Sequence, residues 1–485
     1  MLADPEVLPL ITSTAQAFSQ AVGQGIGKRP MPSAMRSMLE QNVFIFSGFK
    51  THAELSAVSA LLLDESGKKK PFERFARDVQ AINENYNLNY LRAEYNFATQ
   101  SARSAAMWAQ YQADADQFYL QYRTAADERV RESHALLHGT TLPVDDPFWQ
   151  KFFPPNGWNC RCTVVQVRKS KYPLSDSQKA IEQGEKATTA INKKGQNKLA
   201  IFRFNPGQDQ KIFPPRHPYM KFPKEVKDAI SDVVDETIHR RKIIKGLTDN
   251  LTEQEKQAIA DNLIELEKLL NIQAGAPMSI QKADNQNANP KHNPKYIKTS
   301  PGKYTINQGY SSTKDEPYSI NCQTCVPTYM LRLRGLDVTA GGNTPGSLQE
   351  YISRQRSFEV WLNPDGSKAK PTLTYDWMVE KGYKTMTPKR YIEYFEESTK
   401  DEGVYLLTVG WKGGGGHATI LQRLKDGKLV YIEPQAYYDF DGTFLAVDNI
   451  ANDAGTKPIY TRGILRIDNK VFNTKFASIF EIPEQ

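Results

Sequence analysis

Two cysteines three positions apart, Cys322 and Cys325, stand just ahead of a segment that reads as a short helix closed by Gly335. A thiol at a helix N-terminus feels the positive end of the dipole, which favours the thiolate. After His292 the sequence has a single histidine, His417, approached through Gly413-Gly-Gly-Gly416. If the C-terminal part uses a cysteine nucleophile with an imidazole base, that base is His417. A second group lies in the N-terminal half. His134 and His138 are four apart, a spacing that puts both on one helical face. With Cys160 and Cys162 they compose a His₂Cys₂ zinc set. The Cys-x-Cys gap is tighter than usual for zinc. A hydrogen-bonded histidine pair beside two small buried cysteines accounts for the same residues, so the expectation is no metal and no cofactor.

The elements around Cys322 and His417 read as α/β. Helices are expected at 347–355 and 388–399. Val404–Trp411, His417–Leu424 and Lys428–Glu433 read as three successive strands, with Asp426-Gly427 as a hairpin signal. A cysteine thus opens a helix, a histidine opens a central strand, and an acid ends the next strand. On Asn321-Cys322-x-x-Cys325, Leu333-Arg-Gly335, Gly416-His417-Ala418 and Tyr431-Ile-Glu433-Pro434-Gln435, residues 301–485 resemble the papain-fold toxin family, whose relatives include protein glutaminases. The resemblance implies a papain-like α+β domain and a cysteine hydrolase acting on a carboxamide or a peptide bond. It favours Cys322 as the nucleophile. His417 takes the thiol proton and returns it to the leaving group. Glu433, where the family usually has Asp, holds the imidazole in its productive tautomer. Gln435 or Asn321 donates to the oxyanion. Helix geometry alone leans instead to Cys325, because Pro327 is best placed in a first turn.

The rest of the chain reads mainly as helix and extended segments. An initial helix and a glycine-rich hinge fill 1–42. Residues 43–135 read as helical, with Thr51 as an N-cap, Pro71 opening a helix, and a long helix from Tyr90 running on through Tyr111, Phe118 and Tyr122. Then come Asp127 to His134, Leu137-His138-Gly139, Asp145-Asp146-Pro147-Phe148-Trp149 and Trp158-Asn-Cys-Arg-Cys162. On these motifs residues 43–168 resemble the Mu F-like phage head morphogenesis proteins, which implies a minor head protein near the portal inside the capsid. Residues 169–224 form a basic, proline-punctuated extension expected to pack on the preceding domain. A helical pair follows at 225–275, opened in its second helix by the capping box Thr252-Glu-Gln-Glu255. The Asn/Pro-rich stretch 276–300 reads as a linker to the C-terminal domain at 301–485. The fold class is therefore multidomain: a mainly α head-protein domain, a helical and linker middle, and an α+β papain-like domain.

Composition narrows the partners. At 485 residues the chain is too long for one ordinary domain. No long apolar run exists to span a membrane, and the opening Met1-Leu-Ala-Asp-Pro-Glu lacks the features of a signal peptide. The net charge is +7, yet residues 168–228 alone carry 14 Lys/Arg against 6 Asp/Glu. That segment is either a solvated face or a contact for DNA. The expected partners are portal and capsid proteins, with a host protein as substrate. The expected location is the virion interior after synthesis in a bacterial cytoplasm. Two alternatives stand beside this: a structural virion protein with an inactive C-terminal domain, and a bacterial polymorphic toxin.

Overall fold

The computed structural model describes residues 7–65, 67–283, 285–292, 296–300, 303–306, 316–435, 438–439 and 447–483. The chain divides into two compact units, Met1–Ile238 and His239–Gln485.

The first unit is mainly helical, with α1 (Leu8–Ile26), α2 (Ser33–Ala60), α3 (Phe72–Glu84) and α4 (Leu91–Ala113), then the short α5 (Glu132–Ala135) and α6 (Pro147–Phe152), and α7 (Ser177–Ala187). The glycines of the first helix make no hinge. A Cβ on Gly25 would lie 2.2 Å from the Thr99 carbonyl oxygen, so this glycine lets α1 lie against α4. Nor does Thr51 start a helix, because α2 runs unbroken past it. Gly48 sits in that helix where a Cβ would stand 2.8 Å from Ile230 Cγ2. The long helix also ends sooner than its aromatic spacing suggests. Phe118 and Tyr122 belong to β1 (Phe118–Arg123), the middle strand of a three-stranded antiparallel sheet with β2 (Thr141–Leu142) and β3 (Thr163–Arg168). Tyr122 is fully buried there and donates to Asn156 Oδ1 at 2.9 Å. Apolar residues at helical spacing thus serve a strand, since tertiary burial outweighs local pattern.

Two hydrophobic clusters hold this unit. One joins α1, α2 and α4 to Phe202, Phe204, Ile212 and Phe213, so the proline-punctuated extension is part of the core. Phe46 and Phe213 stack with ring centroids 3.7 Å apart. The other gathers Phe148, Trp149, Phe152, Cys160 and Cys162. Asp146 caps α6 by accepting from the Phe148 amide at 2.9 Å, with Pro147 at the first helical position, which fixes Trp149 inward.

Helix α8 (Lys224–Gly246) carries the chain into the second unit, and α9 (Glu253–Leu270) comes behind the capping box expected at Thr252. The helical pair is not a separate body. Ile259, Leu263 and Leu266 of α9 lie in one core with the C-terminal strands, and Asn262 exchanges two hydrogen bonds of 2.8 and 2.9 Å with the Phe472 backbone. The described part of 276–292 is no free linker either. It forms the short helices α10 (Ile280–Ala283) and α11 (Asn285–Ala288), and Ala283, Ala288 and Asn289 are fully buried. Polar composition suggested a solvated tether, but the Asn289 amide is taken up by internal hydrogen bonds. Residues 284 and 293–295 of the expected linker lie outside the described residues.

The remaining helices are α12 (Glu316–Ser319), α13 (Cys322–Leu333), α14 (Leu348–Ser353), α15 (Thr374–Glu380), α16 (Pro388–Ser398) and α17 (Val447–Asp453). A hairpin of β4 (Tyr296–Ser300) and β5 (Lys303–Ile306) comes first among the strands. Short β6 (Thr339–Ala340), β7 (Trp361–Leu362) and β8 (Thr372–Leu373) come next. Then come β9 (Gly403–Gly410), β10 (Gly416–Arg423), β11 (Leu429–Ile432), β12 (Tyr438–Asp439), β13 (Gly463–Arg466), β14 (Val471–Phe472) and β15 (Phe480–Glu481). The main sheet has the order β11-β10-β9-β13-β8. Its strands alternate between two cores. Leu406, Ala418, Ile420 and Ile432 face the side of α13, and Tyr405, Leu407, Leu421 and Tyr431 join α16 and α17. Gly427 takes φ +82° in the β10–β11 turn, as the Asp-Gly signal predicts.

The first unit makes a stability prediction. Lys50 and Glu94 pair at 2.8 Å with 1 % and 3 % exposure, and burial raises the Glu94 carboxyl above its ordinary range despite the ammonium beside it. Lys50→Met strands that carboxyl and should cost about 3–5 kcal/mol in denaturant unfolding, whereas Lys50→Met/Glu94→Leu should recover most of the loss.

Candidate active site

Helix α13 begins at Cys322, so Cys322 is its first residue and Pro327 lies beyond the first turn. Cap geometry therefore does not favour Cys325. The helix accepts an interior proline because it is buried from Cys322 through Arg332, and packing outweighs the lost hydrogen bond. Gly335 closes it with φ +97°. The Leu336 amide donates to the Leu331 carbonyl and the Gly335 amide to Arg332, a Schellman arrangement. A Cβ at Gly335 would also lie 2.6 Å from the Gly275 oxygen, so no other residue fits.

His417 is the second residue of β10. The register Ile420↔Ile432, continued past the end of β11, sets Glu433 opposite Thr419 and diagonally from His417 on one side of the pair. The His417 Nε2 and Glu433 Oε2 are 2.6 Å apart. Tyr431 donates to the same oxygen at 2.6 Å, and the Gln435 amide donates to Oε1 at 3.0 Å. Nε2 is thus committed to Glu433, which leaves Nδ1 open to another partner, and Cys322 contributes after Glu433 to the raised pKa of the imidazole. Trp411 stacks on the imidazole with centroids 5.4 Å apart. Cys322 and His417 are only 5 % and 9 % exposed.

Cys325 stands apart from this relay. It is fully buried and donates to Asn321 Oδ1 at 3.3 Å, and burial pushes its thiol well above the ordinary range, with Cys322 and Glu433 adding to the effect. Asn321 is not free to serve an oxyanion. Its amide protons go to Asn289 Oδ1 and the Gly341 carbonyl, both at 3.1 Å. Gln435 donates from Nε2 to Asn321 Oδ1 at 3.4 Å, which leaves one of its two amide protons for another acceptor. Of the two amides considered for that role, Gln435 fits better.

Three contributors were not legible in sequence. Asn289, from the stretch read as a linker, donates to the Tyr318 and Gln435 carbonyls at 3.0 Å each. Trp411 precedes the glycine run and covers the imidazole. Arg462 is buried against Gly416, where a Cβ would meet its Nη2 at 2.3 Å, and its Nε has no partner among the described residues. The Gly416 signal was visible as a glycine run; its reason, the guanidinium, lies 46 residues onward in the chain. Trp411, Gly414, Gly415, Ile459 and Arg462 line a cavity of about 150 Å³ beside the relay.

In the first unit three of the four zinc-set residues meet. His134 Nδ1 is 3.8 Å from Cys160 Sγ and 3.7 Å from Cys162 Sγ. His138 does not join them. Helix α5 stops at Ala135, so the two histidines share no helical face, and exposed His138 bonds through Nδ1 to Thr124 Oγ1 at 2.8 Å. The Cys160 thiol is held below its ordinary range, chiefly by the hydrogen bond from Cys162 and then by His134.

Comparison with known proteins bears on the first unit. Residues 15–165 match Phage Mu protein F like protein. That family match covers less than a third of the chain. The putative capsid assembly protein F of Escherichia phage Mu is 48% identical over 71 residues, 14% of this chain and 16% of the phage protein. The Mu-like prophage FluMu F protein of Haemophilus influenzae is 37% identical over 110 residues, 19% of this chain and 27% of that protein. An uncharacterized protein of Methanocaldococcus jannaschii is 48% identical over 48 residues, 10% of this chain and 7% of its own length. The chain thus spans only a small part of each of these relatives. No solved structure matches. No helix among the described residues is long and apolar enough to cross a membrane.

The His417–Glu433 pair predicts a pH signature. Burial alone lowers an imidazole pKa, but the Glu433 carboxylate overrides it, and with the Cys322 hydrogen bond raises His417 from 6.5 to about 10. Glu433 is held below 4.5, where His417 and the Tyr431 hydrogen bond outweigh burial. The stabilising contribution of His417 is complete below 6.5 and is lost as pH rises through about 10; that of Glu433 is present above 4.5 and is lost on acidification. Imidazole NMR should find His417 protonated at neutral pH, and Glu433→Gln should bring its midpoint down past 6.5. A wild-type midpoint near 6.5 would contradict the pairing.

Proposed function

We propose that the chain is a phage head protein of the Mu F type whose second unit is a cysteine-dependent amide hydrolase of papain-like design. The head assignment rests on the match of residues 15–165 and on the capsid-assembly name of the phage Mu relative. The observation that carries the hydrolase reading is the buried His417–Glu433 pair, Nε2 to Oε2 at 2.6 Å, with Cys322 buried at the first residue of α13 and contributing to the raised pKa of that imidazole.

In this reading the sulfur attacks a carboxamide carbon as the thiolate, with His417 as imidazolium beside it. The C=O π electrons move to oxygen. Gln435 and the first two amides of α13, those of Cys322 and Gln323, are the donors for that oxyanion, since the Thr324 and Cys325 amides already bond to the Asn321 carbonyl. His417 gives its proton to the departing nitrogen, the C–N bond breaks, and a thioester remains. A water then gives its proton to His417 as its oxygen attacks the thioester carbon. The C–S bond breaks, leaving an acid and the regenerated Cys322–His417 pair. From a glutamine side chain the products are glutamate and ammonia; from a backbone amide they are two peptides. Glu433 and Tyr431 act through His417 by fixing its tautomer and ring plane. The substrate is a protein of the infected cell that the virion's contents reach.

The full-length chain should release ammonia from protein-bound glutamine. Cys322→Ala should abolish release, while Cys325→Ala keeps it within a few-fold. Glu433→Gln should lower turnover by about 10²–10⁴-fold, the range typical of an orienting acid or a lost acid–base step. Iodoacetamide followed by mass spectrometry should mark Cys322 ahead of the other three cysteines. Equal slow labelling of all four would defeat the reading, as would activity that persists in Cys322→Ala. The head assignment fails if purified virions of the encoding phage lack the chain.

A further inference from the structure

The first unit holds a group that the proposed hydrolase does not use. His134, Cys160 and Cys162 are 2 %, 3 % and 7 % exposed, and one ligand atom from each lies within 4.8 Å of the others. Both cysteines are free thiols. We propose that His134 Nδ1 and the two sulfurs bind one zinc ion, with its fourth position turned to the adjoining cavity.

The distances suit the metal. Zinc bonds of ~2.0 Å to imidazole and ~2.3 Å to thiolate, at the tetrahedral angle, separate nitrogen from sulfur by roughly 3.6 Å. The observed separations are 3.7 and 3.8 Å. These are long for a thiol–imidazole hydrogen bond and close to the edge of a zinc tetrahedron.

Local chain geometry explains how so tight a spacing works. Asn159 takes φ +58°, the Cys160 amide bonds to the Gly157 carbonyl, and the chain then runs straight into β3. Along extended backbone, residues i and i+2 point the same way. Cys160 and Cys162 therefore present both sulfurs inward. Arg161 between them points out and forms two bonds of 2.5 and 2.6 Å with Asp127. The Cys-x-Cys gap that argues against zinc on a helix or knuckle suits a strand entrance.

The charges balance as well. Two thiolates and one Zn²⁺ sum to zero, so the buried complex carries no net charge, unlike a lone buried thiolate. Binding releases two thiol protons to solvent, and no electrons move. Imidazole with soft sulfur selects zinc over magnesium or calcium. His134 Nε2 is buried with no partner among the described residues, so only the contacts at Nδ1 tie the ring through hydrogen bonds or coordination.

Three protein ligands leave one tetrahedral position. The cluster forms part of the wall of a cavity of about 580 Å³, lined also by Tyr95, Gln100, Arg129, Arg131 and Arg161. A water from that cavity completes the coordination.

The test uses the full chain, purified without chelator. Elemental analysis should find about one zinc per chain, as a single mononuclear site requires. Cobalt exchanged into the site should give an intense sulfur-to-metal band in the near ultraviolet and the visible absorption of four-coordinate cobalt. Cys160→Ser/Cys162→Ser should lower bound zinc at least tenfold. His138→Ala and Cys322→Ser/Cys325→Ser should leave it unchanged. Should the double serine variant fail to fold, the wild-type cobalt spectrum decides, and absence of the sulfur band overturns the proposal. Substoichiometric zinc in the wild type, or zinc retained by a folded double serine variant, overturns it equally. None of these readouts depends on the hydrolase.

Discussion

The second unit turns on one buried side chain. Asn321 uses its whole hydrogen-bonding capacity inside the protein: its oxygen accepts from Cys325, Asn289 and Gln435, and its nitrogen donates to Asn289 and Gly341. Those partners come from distant parts of the sequence. Through this one amide the segment before β4, the start of α13, the loop after β6 and the end of β11 are held together. Buried polar groups of this kind stabilise only when every bond is made, and each lost partner leaves the others unsatisfied. Asn321 directly precedes Cys322, and its oxygen accepts from Gln435, whose backbone amide donates to Glu433, so this amide links the two ends of the candidate site.

Rigidity around Cys322 has the same origin in complete burial. Helix α13 is enclosed along nearly its full length, stopped by a glycine that tolerates no side chain, and carries its sulfur at the first residue. The imidazole is held by Glu433 and covered by Trp411. An ion pair so buried adds little net stability, because desolvation opposes the charge that Glu433 favours. Its contribution is to fix a protonation state and a ring plane.

Much of the second unit was legible from its sequence. The three strands, the Asp-Gly turn, the capping box at Thr252 and the glycine stop at Gly335 all rest on local rules that operate over a few residues. His417 stood out because the sequence leaves no other histidine after His292, whereas the choice of Cys322 and Glu433 beside it rested on the papain-fold resemblance. What escaped was long-range. Asn289 looked like part of a solvated tether because composition cannot distinguish an amide that faces water from one that faces another amide. Arg462 carries no motif, and its role depends on a glycine side of β10 that only the sheet reveals. In the first unit, Phe118 and Tyr122 kept helical spacing while forming a strand, and His138 kept the spacing of His134 without sharing a helix. Periodicity reports a face only where the element that would display it exists.

The core of the first unit also limits how genes of this kind can be shuffled. The segment shared with Mu F-like proteins ends at residue 165, yet Phe202, Phe204, Ile212, Phe213, Ile230 and Val234 complete the hydrophobic cluster around α1, α2 and α4. A recombination junction placed at the edge of the family likeness would cut this core in two. Junctions beyond Ile238, the last residue of this unit that packs against the cluster, leave it whole. Exchange of C-terminal units between related genes is therefore constrained less by where sequence similarity fades than by where the last phenylalanines and β-branched residues of this cluster are in place.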